Sequence, residues 1–206
     1  RGNLFVKAIA QGDGGHASRP DKIKGVTAVR KIINFGDELN KAVLKWQQEY
    51  KSKHFKTSIT VGEFTAIFAG ADAKLILDEK GKPQKDDQGN FKLEIEPSSP
   101  NKIPTNCVGV FDVRTIDEFH PHAEKKLKEL GKKMGVKVEM LYPPAPAGFT
   151  DPSEKIVKIA ASTRGKRKLT VSFASADLGF LTTKGIKAVI LGPGNKNQAH
   201  KPNEYV

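Results

Sequence analysis

Cysteine is nearly absent: Cys107 is the single one in 206 residues. It has no partner for an internal disulfide, so nothing in the covalent structure demands an oxidising compartment. Long apolar runs are missing too, and none approaches the ~20 residues that a membrane-spanning helix needs. No signal peptide is expected, and the first residue is Arg1, followed at once by strand-like sequence. The expectation is a soluble, cytoplasmic protein, read here as a segment of something longer. Acidic residues are outnumbered, 23 against 35 Lys and Arg, which leaves a formal net charge of +12. Such an excess raises nucleic acid as a partner. The lysines, however, are spread over "KWQQEYKSKHFK", "KKLKELGKKMG" and "TRGKRK", mixed with Glu, Gln and His. That pattern fits solvated helix faces and turns, and neither nucleic acid nor a membrane is expected as a partner.

What is present is periodic. "NLFVKAIAQG" alternates Leu4, Val6, Ala8 and Ala10 against Phe5, Lys7, Ile9 and Gln11, as a strand does. After a Gly-rich turn, Val26, Val29, Ile32, Ile33, Leu39, Val43, Leu44 and Trp46 fall at helical spacings, which predicts one long or two short helices over 24–51 with Gly36 as the break. Residues 57–70 are β-branched and aromatic, a second strand. Two short apolar runs over 74–96, joined by Gly, Pro and Asp, predict a hairpin. "PNKIPTNCVGVFDVRTI" predicts a third long strand, with Cys107, Gly109, Phe111 and Val113 on one face. A helix with Pro121 just inside its start runs to about Met134, Gly135 caps it, and "VKVEML" is the fourth strand.

Strand, helix, strand, strand, helix, strand is the order of an α+β ferredoxin-like split βαβ sandwich, assigned to residues 1–142. A Pro-rich connector follows from Tyr142 to Pro152. Beyond it, a helix capped by Ser153, a strand at 168–173, a short helix at 177–183 and an apolar strand at 185–194 have an α/β rhythm. Residues 143–206 are therefore expected to be the C-terminal portion of a larger α/β domain.

Three positions carry chemistry on residue type alone. His200 follows the Gly192-Pro193-Gly194 turn after a buried strand, where open α/β sheets place ligands, and imidazole is the commonest neutral metal ligand. One ligand does not make a site, since zinc wants four. His16 lies in a turn between Gly14-Gly15 and Ser18-Arg19-Pro20, which either holds an imidazole for donation to an oxyanion or merely connects strand to helix. Arg114 stands on an otherwise core-like strand, so it emerges at the strand end or meets a carboxylate, its own or a substrate's. Asn101 is either a turn residue or a hydrogen-bonding substrate contact, and its spacing favours the turn.

The blocks "RGNLFVKAIAQGDGGHASRPDKIKGVTAV", "NKIPTNCVGVFDVRTIDEF", "SFASADLGFLTTKGIKAVILGPG" and "QAHKPNEYV" resemble, in this order, the di-zinc aminoacylase and carboxypeptidase family. That family includes acetylornithine deacetylase, succinyl-diaminopimelate desuccinylase, carboxypeptidases and dipeptidases. The resemblance implies a ferredoxin-like lid that dimerises, set into an α/β catalytic domain with two zinc ions per full-length subunit, replaceable by cobalt or manganese. It implies that His200 is a metal ligand and that the catalytic His16 reaches across a homodimer to stabilise the oxyanion. It further implies that Asn101 and Arg114 hold the substrate, with Ala174, Ser175 and Gly192 lining its pocket. The desuccinylases have glycine and threonine where this chain has Ala174 and Ser175.

The family's His-x-Asp ligand pair, bridging Asp and Glu-Glu pair have no counterpart in this sequence. The expectation is a metallopeptidase or amidohydrolase acting on N-acyl amino acids or short peptides as the full-length protein, with these 206 residues alone inactive. The alternative of another class is a non-catalytic dimerisation and binding module.

Overall fold

The structure, a computed structural model, describes residues 1–52, 59–82, 84–87, 92–97, 101–163, 169–172 and 174–192. The elements run β1 (Gly2–Gln11), β2 (Gly15–His16), a 3₁₀ turn at Pro20–Lys22, α1 (Ala28–Glu49) and β3 (Thr60–Phe68). There follow β4 (Ala71–Leu75), β5 (Leu93–Pro97), β6 (Lys102–Ile103), β7 (Asn106–Thr115), α2 (His120–Met134) and β8 (Lys137–Met140). Two short helices, α3 (Lys155–Ser162) and α4 (Leu178–Thr183), come last.

Four strands form one sheet in the order β3-β7-β1-β8, every neighbouring pair antiparallel. The long β1–β7 ladder sets Gly2 opposite Thr115 and Gln11 opposite Asn106. Alternation is the cause of the layering: Leu4, Val6, Ala8 and Ala10 share one buried face with Cys107, Phe111 and Val113. Both helices cover that face. Ala28, Ile32, Phe35, Leu39, Val43 and Trp46 of α1 join Ala123 and Leu127 of α2 in a single core. Cys107 is free and buried in it, and that burial pushes its thiol pKa up.

Helix α1 is one helix and starts later than its periodicity predicts. Thr27 caps it, its hydroxyl accepting from the Arg30 amide at 3.3 Å. Gly36 does not break it, because the missing side chain admits the Phe64 ring: a β-carbon there would sit 3.1 Å from two of its atoms. Leu44, expected on the buried stripe, is 62% exposed, and Phe35 takes the place inside. The α2 end follows the sequence closely. Gly135 adopts φ 66°, and its amide bonds the carbonyls of Gly131 and Lys132.

The third long strand is in fact two. Pro104 interrupts it, so β6 turns away to pair with β2 while β7 continues the main sheet. The expected hairpin is present as β4 and β5, paired from Ala71 opposite Pro97 to Leu75 opposite Leu93.

The connector turns back along β1, where Asn3 and Ala145 exchange two backbone hydrogen bonds of 2.9 Å. Helix α4 crosses it at Gly179, where any β-carbon would collide with the Pro146 carbonyl. The Thr150 hydroxyl donates to the Ala188 carbonyl at 2.6 Å, and Lys187 pairs with Glu154 at 3.2 Å. Ser153 is not the cap of α3; Glu154 is in that position, and the Asp151 carboxylate accepts from the Ser153 amide. The strands expected at 168–173 and 185–194 do not form among the described residues: 169–172 and 186–192 have no ladder. A strand needs a neighbouring strand to satisfy its backbone, and none lies alongside among the described residues. Ile186, Ile190 and Leu191 are each more than half exposed. Among the described residues no helix is long and apolar enough to cross a membrane.

Where the connector meets the sheet, His120 Nδ1 lies 2.8 Å from the buried Thr115 hydroxyl. Burial holds the His120 pKa below its ordinary range, against an opposing pull from Asp117. The unfolded chain takes up this proton more readily than the folded one. Its contribution to stability is therefore complete above the ordinary histidine value of about 6.5 and is lost as pH falls through it. Urea midpoints measured at about pH 7.5 and about pH 5.5 should fall further for the wild type than for His120→Gln. Equal falls would show that His120 is not the group responsible.

Candidate functional site

The loop from Gly12 to Val26 is held at several points. The Gly12 amide donates to the Thr105 carbonyl at 2.9 Å, and the Asp13 amide to the Val26 carbonyl at 3.2 Å. The Asp13 carboxylate accepts from the Gly25 amide at 2.6 Å. Lys31 donates to the Gln11 carbonyl at 2.9 Å. Glycine is required at position 12 because a β-carbon would collide with the Ala28 amide, and at 14 because it would meet the Ile103 carbonyl at 2.8 Å.

This anchoring presents the two-residue ladder of β2 and β6, with His16 opposite Lys102. The Ala17 amide donates to the Asn101 carbonyl at 2.7 Å, bringing Asn101 alongside. The two side chains then meet: the Asn101 amide group lies 3.2 Å from His16 Nε2 across 85 positions of sequence. Ser18 closes the other side of the ring, with its Oγ 2.8 Å and its amide 3.3 Å from His16 Nδ1. All three residues are exposed. Asn101 is thus a side-chain partner of His16 as well as a turn residue.

Arg114 is elsewhere. It stands opposite Asn3, eight positions along β7 from Asn106, so about 26 Å of strand separates it from the end that carries the His16 loop. It does meet a carboxylate, that of Asp112 two residues before it, through Nε at 3.0 Å and Nη2 at 2.6 Å to one oxygen. The other Asp112 oxygen is buried with no hydrogen-bond partner among the described residues. Arg1 lies close by, donating to the Thr60 hydroxyl at 2.9 Å, and burial followed by the Arg114 charge lowers its pKa. The structure therefore brings His16 and Asn101 together and sets Arg114 at the opposite end of the sheet.

The remaining expected residues belong to the C-terminal portion. Ala174 and Ser175 form the turn before α4, where the Ser172 hydroxyl accepts from the Ala174 amide at 3.2 Å. Gly192 is exposed, and a β-carbon there would meet nothing within 4 Å among the described residues. His200 lies outside the described residues. Among the described residues no three His, Cys, Asp or Glu side chains converge to hold a metal ion. Sequence reasoning missed Ser18 and Asp13. The signal for Ser18 was its place two residues after the histidine in a Gly-rich turn, where a hydroxyl bonds back to its neighbours.

The fold is thus a helix-covered antiparallel sheet that presents a histidine–amide pair on a side ladder, continued by a smaller helical segment. The sequence signature of Peptidase family M20/M25/M40 matches residues 13–206. The chain belongs to that family. Among solved structures it is similar to a tripeptidase from Staphylococcus aureus subsp. aureus Mu50, at 19% identity and TM-score 0.53, over 93% of this chain and 43% of that one. It is also similar to AtUAH in complex with (S)-hydroxyglycine, at 20% identity and TM-score 0.54, over 100% of this chain and 42% of that one. The chain spans about two fifths of the length of the solved structures it matches.

Proposed function

We propose that the full-length protein is a metal-dependent hydrolase of amide bonds, acting on N-acyl amino acids or short peptides as a homodimer in the cytoplasm. Family membership supports the reaction class. In this reading residues 1–142 are the ferredoxin-like lid and 143–206 the last part of the catalytic domain, and the observed strand order with two helices on one face supports the first assignment. The narrower kinship is with the acetylornithine deacetylase, desuccinylase and carboxypeptidase branch.

A zinc pair, or cobalt or manganese in its place, would supply a water activated for attack at neutral pH. His200 is proposed as one ligand, the others lying outside the described residues. The tasks left to this chain are to bind and to stabilise charge. His16 donates to the carbonyl oxygen as it gains negative charge, Asn101 holds the polar end of the substrate, and Ala174, Ser175 and Gly192 line its pocket. Arg114, drawn from Asp112 by a substrate carboxylate, binds the other end.

The observation that carries the cross-subunit reading is the separation of Arg114 from the His16–Asn101 pair. About 26 Å of strand is too far for one substrate of this size to bridge within one chain, whereas a two-fold partner turns the opposite end of its own sheet toward the site. Full-length His16→Ala and Arg114→Ala proteins should each keep two zinc ions per subunit and each turn over poorly. Mixed under conditions that exchange subunits, they should recover roughly a quarter of wild-type activity, since half the dimers are hybrids with one intact site. No recovery despite proven exchange would mean that each site draws both residues from one chain. Absence of bound metal and of turnover in the wild type would favour the non-catalytic binding module instead.

A further inference from the structure

We infer that Ser18 is a positioning residue that holds His16 as the Nε2–H tautomer and so makes its outward nitrogen a hydrogen-bond donor. The inference rests on the reading of His16 as the oxyanion donor. Among the described residues three groups touch the imidazole, and only one of them has no freedom of role. The Ser18 hydroxyl rotates, and the Asn101 carboxamide turns end for end, so either can donate or accept. The Ser18 backbone amide only donates, and its proton points at Nδ1 from 3.3 Å. A proton on Nδ1 would oppose it directly. Nδ1 therefore accepts, the Ser18 hydroxyl at 2.8 Å donates to it as well, and the proton of the neutral ring resides on Nε2.

This assignment sets the orientation of Asn101. The amide atom 3.2 Å from Nε2 stands as Nδ2, which would place two donors face to face; the carboxamide therefore turns Oδ1 toward the ring. Asn101 then occupies the Nε2 proton until a substrate oxygen takes its place. Ala17 contributes from the backbone, because its amide anchors the Asn101 carbonyl and fixes the distance between the two side chains.

The test reads the tautomer and the rate separately. In the full-length wild type, nitrogen–proton correlation spectra of the His16 ring at a pH where it is neutral should show the proton on Nε2. A proton on Nδ1 overturns the inference, whatever the kinetics. With N-acetylalanine or the dipeptide Ala-Ala, whichever is turned over, Ser18→Ala should lower kcat by about fivefold to tenfold with KM unchanged. Ser18→Thr, which keeps hydroxyl and amide, should stay within about twofold of wild type, a rescue that a merely structural role for the side chain does not predict. Equal kcat for Ser18→Ala and wild type overturns the positioning role. Failure of the underlying reading is distinguishable: His16→Ala would then keep full turnover while the wild-type ring proton still sits on Nε2.

Discussion

His16→Ala in the full-length protein is expected to lower kcat by about a hundredfold to a thousandfold, the usual effect of removing one donor from an oxyanion site. The reason is geometric. The loop that carries His16 is anchored at Gly12, Asp13 and Gly25, so the imidazole is presented in one place and needs no reorganisation when charge develops. A donor aimed in advance stabilises the transition state more than the substrate, so the loss falls on kcat and leaves KM nearly unchanged. His16→Gln, which keeps a donor at a different reach, should recover part of the rate. The measurement is steady-state kinetics on protein whose metal content has been determined. A loss much below tenfold with unchanged zinc would remove His16 from catalysis.

Phe119→Ala should lower the stability of the chain by about 3–5 kcal/mol, the range for deleting a buried aromatic side chain. Phe119 is fully buried between the end of α1 and the start of α2, its ring centroid 5.3 Å from that of Trp46 and 5.1 Å from that of Tyr50. Deletion would empty the joint where the two helices meet and strand the Trp46 ring beside a cavity. The backbone does not give way easily, because the Phe119 amide is bonded to the Ile116 carbonyl and its carbonyl to the His122 amide. Urea unfolding followed by Trp46 fluorescence should show the midpoint falling by about 1–2 M. Phe119→Leu, which refills most of the volume, should lose less than half as much. A loss below about 1 kcal/mol for the alanine variant would mean that the aromatic cluster is not packed as described.

Much of the fold was legible because local patterns coincide with tertiary demands. The alternation is strict in β7 and in β1 from Leu4 onward, and the residues it assigns to one face are the ones the helices cover. Gly135 ends α2 because only a residue free to take positive φ closes the cap there. Where two signals compete, the sequence reading slipped. Gly36 looks like a helix break, yet its bare backbone is what admits Phe64, a residue 28 positions later. Pro104 divides one apolar run between two sheets, and no periodicity announces which neighbour β6 will choose.

For the site, the residue types alone singled out His16 and Arg114, and kinship with Peptidase family M20/M25/M40 supports the chemistry proposed for them. The sequence by itself determined which faces are apolar, where the helices end and which loops are rich in glycine, since these depend on neighbours within a few positions. The tertiary structure decided that Asn101 lies against His16, that Ser18 holds the inner ring nitrogen, and that Arg114 sits beside Asp112 at the far end of the sheet. These are meetings of residues and a separation along a shared ladder. They are settled by strand register, which comes into being only when distant segments pair.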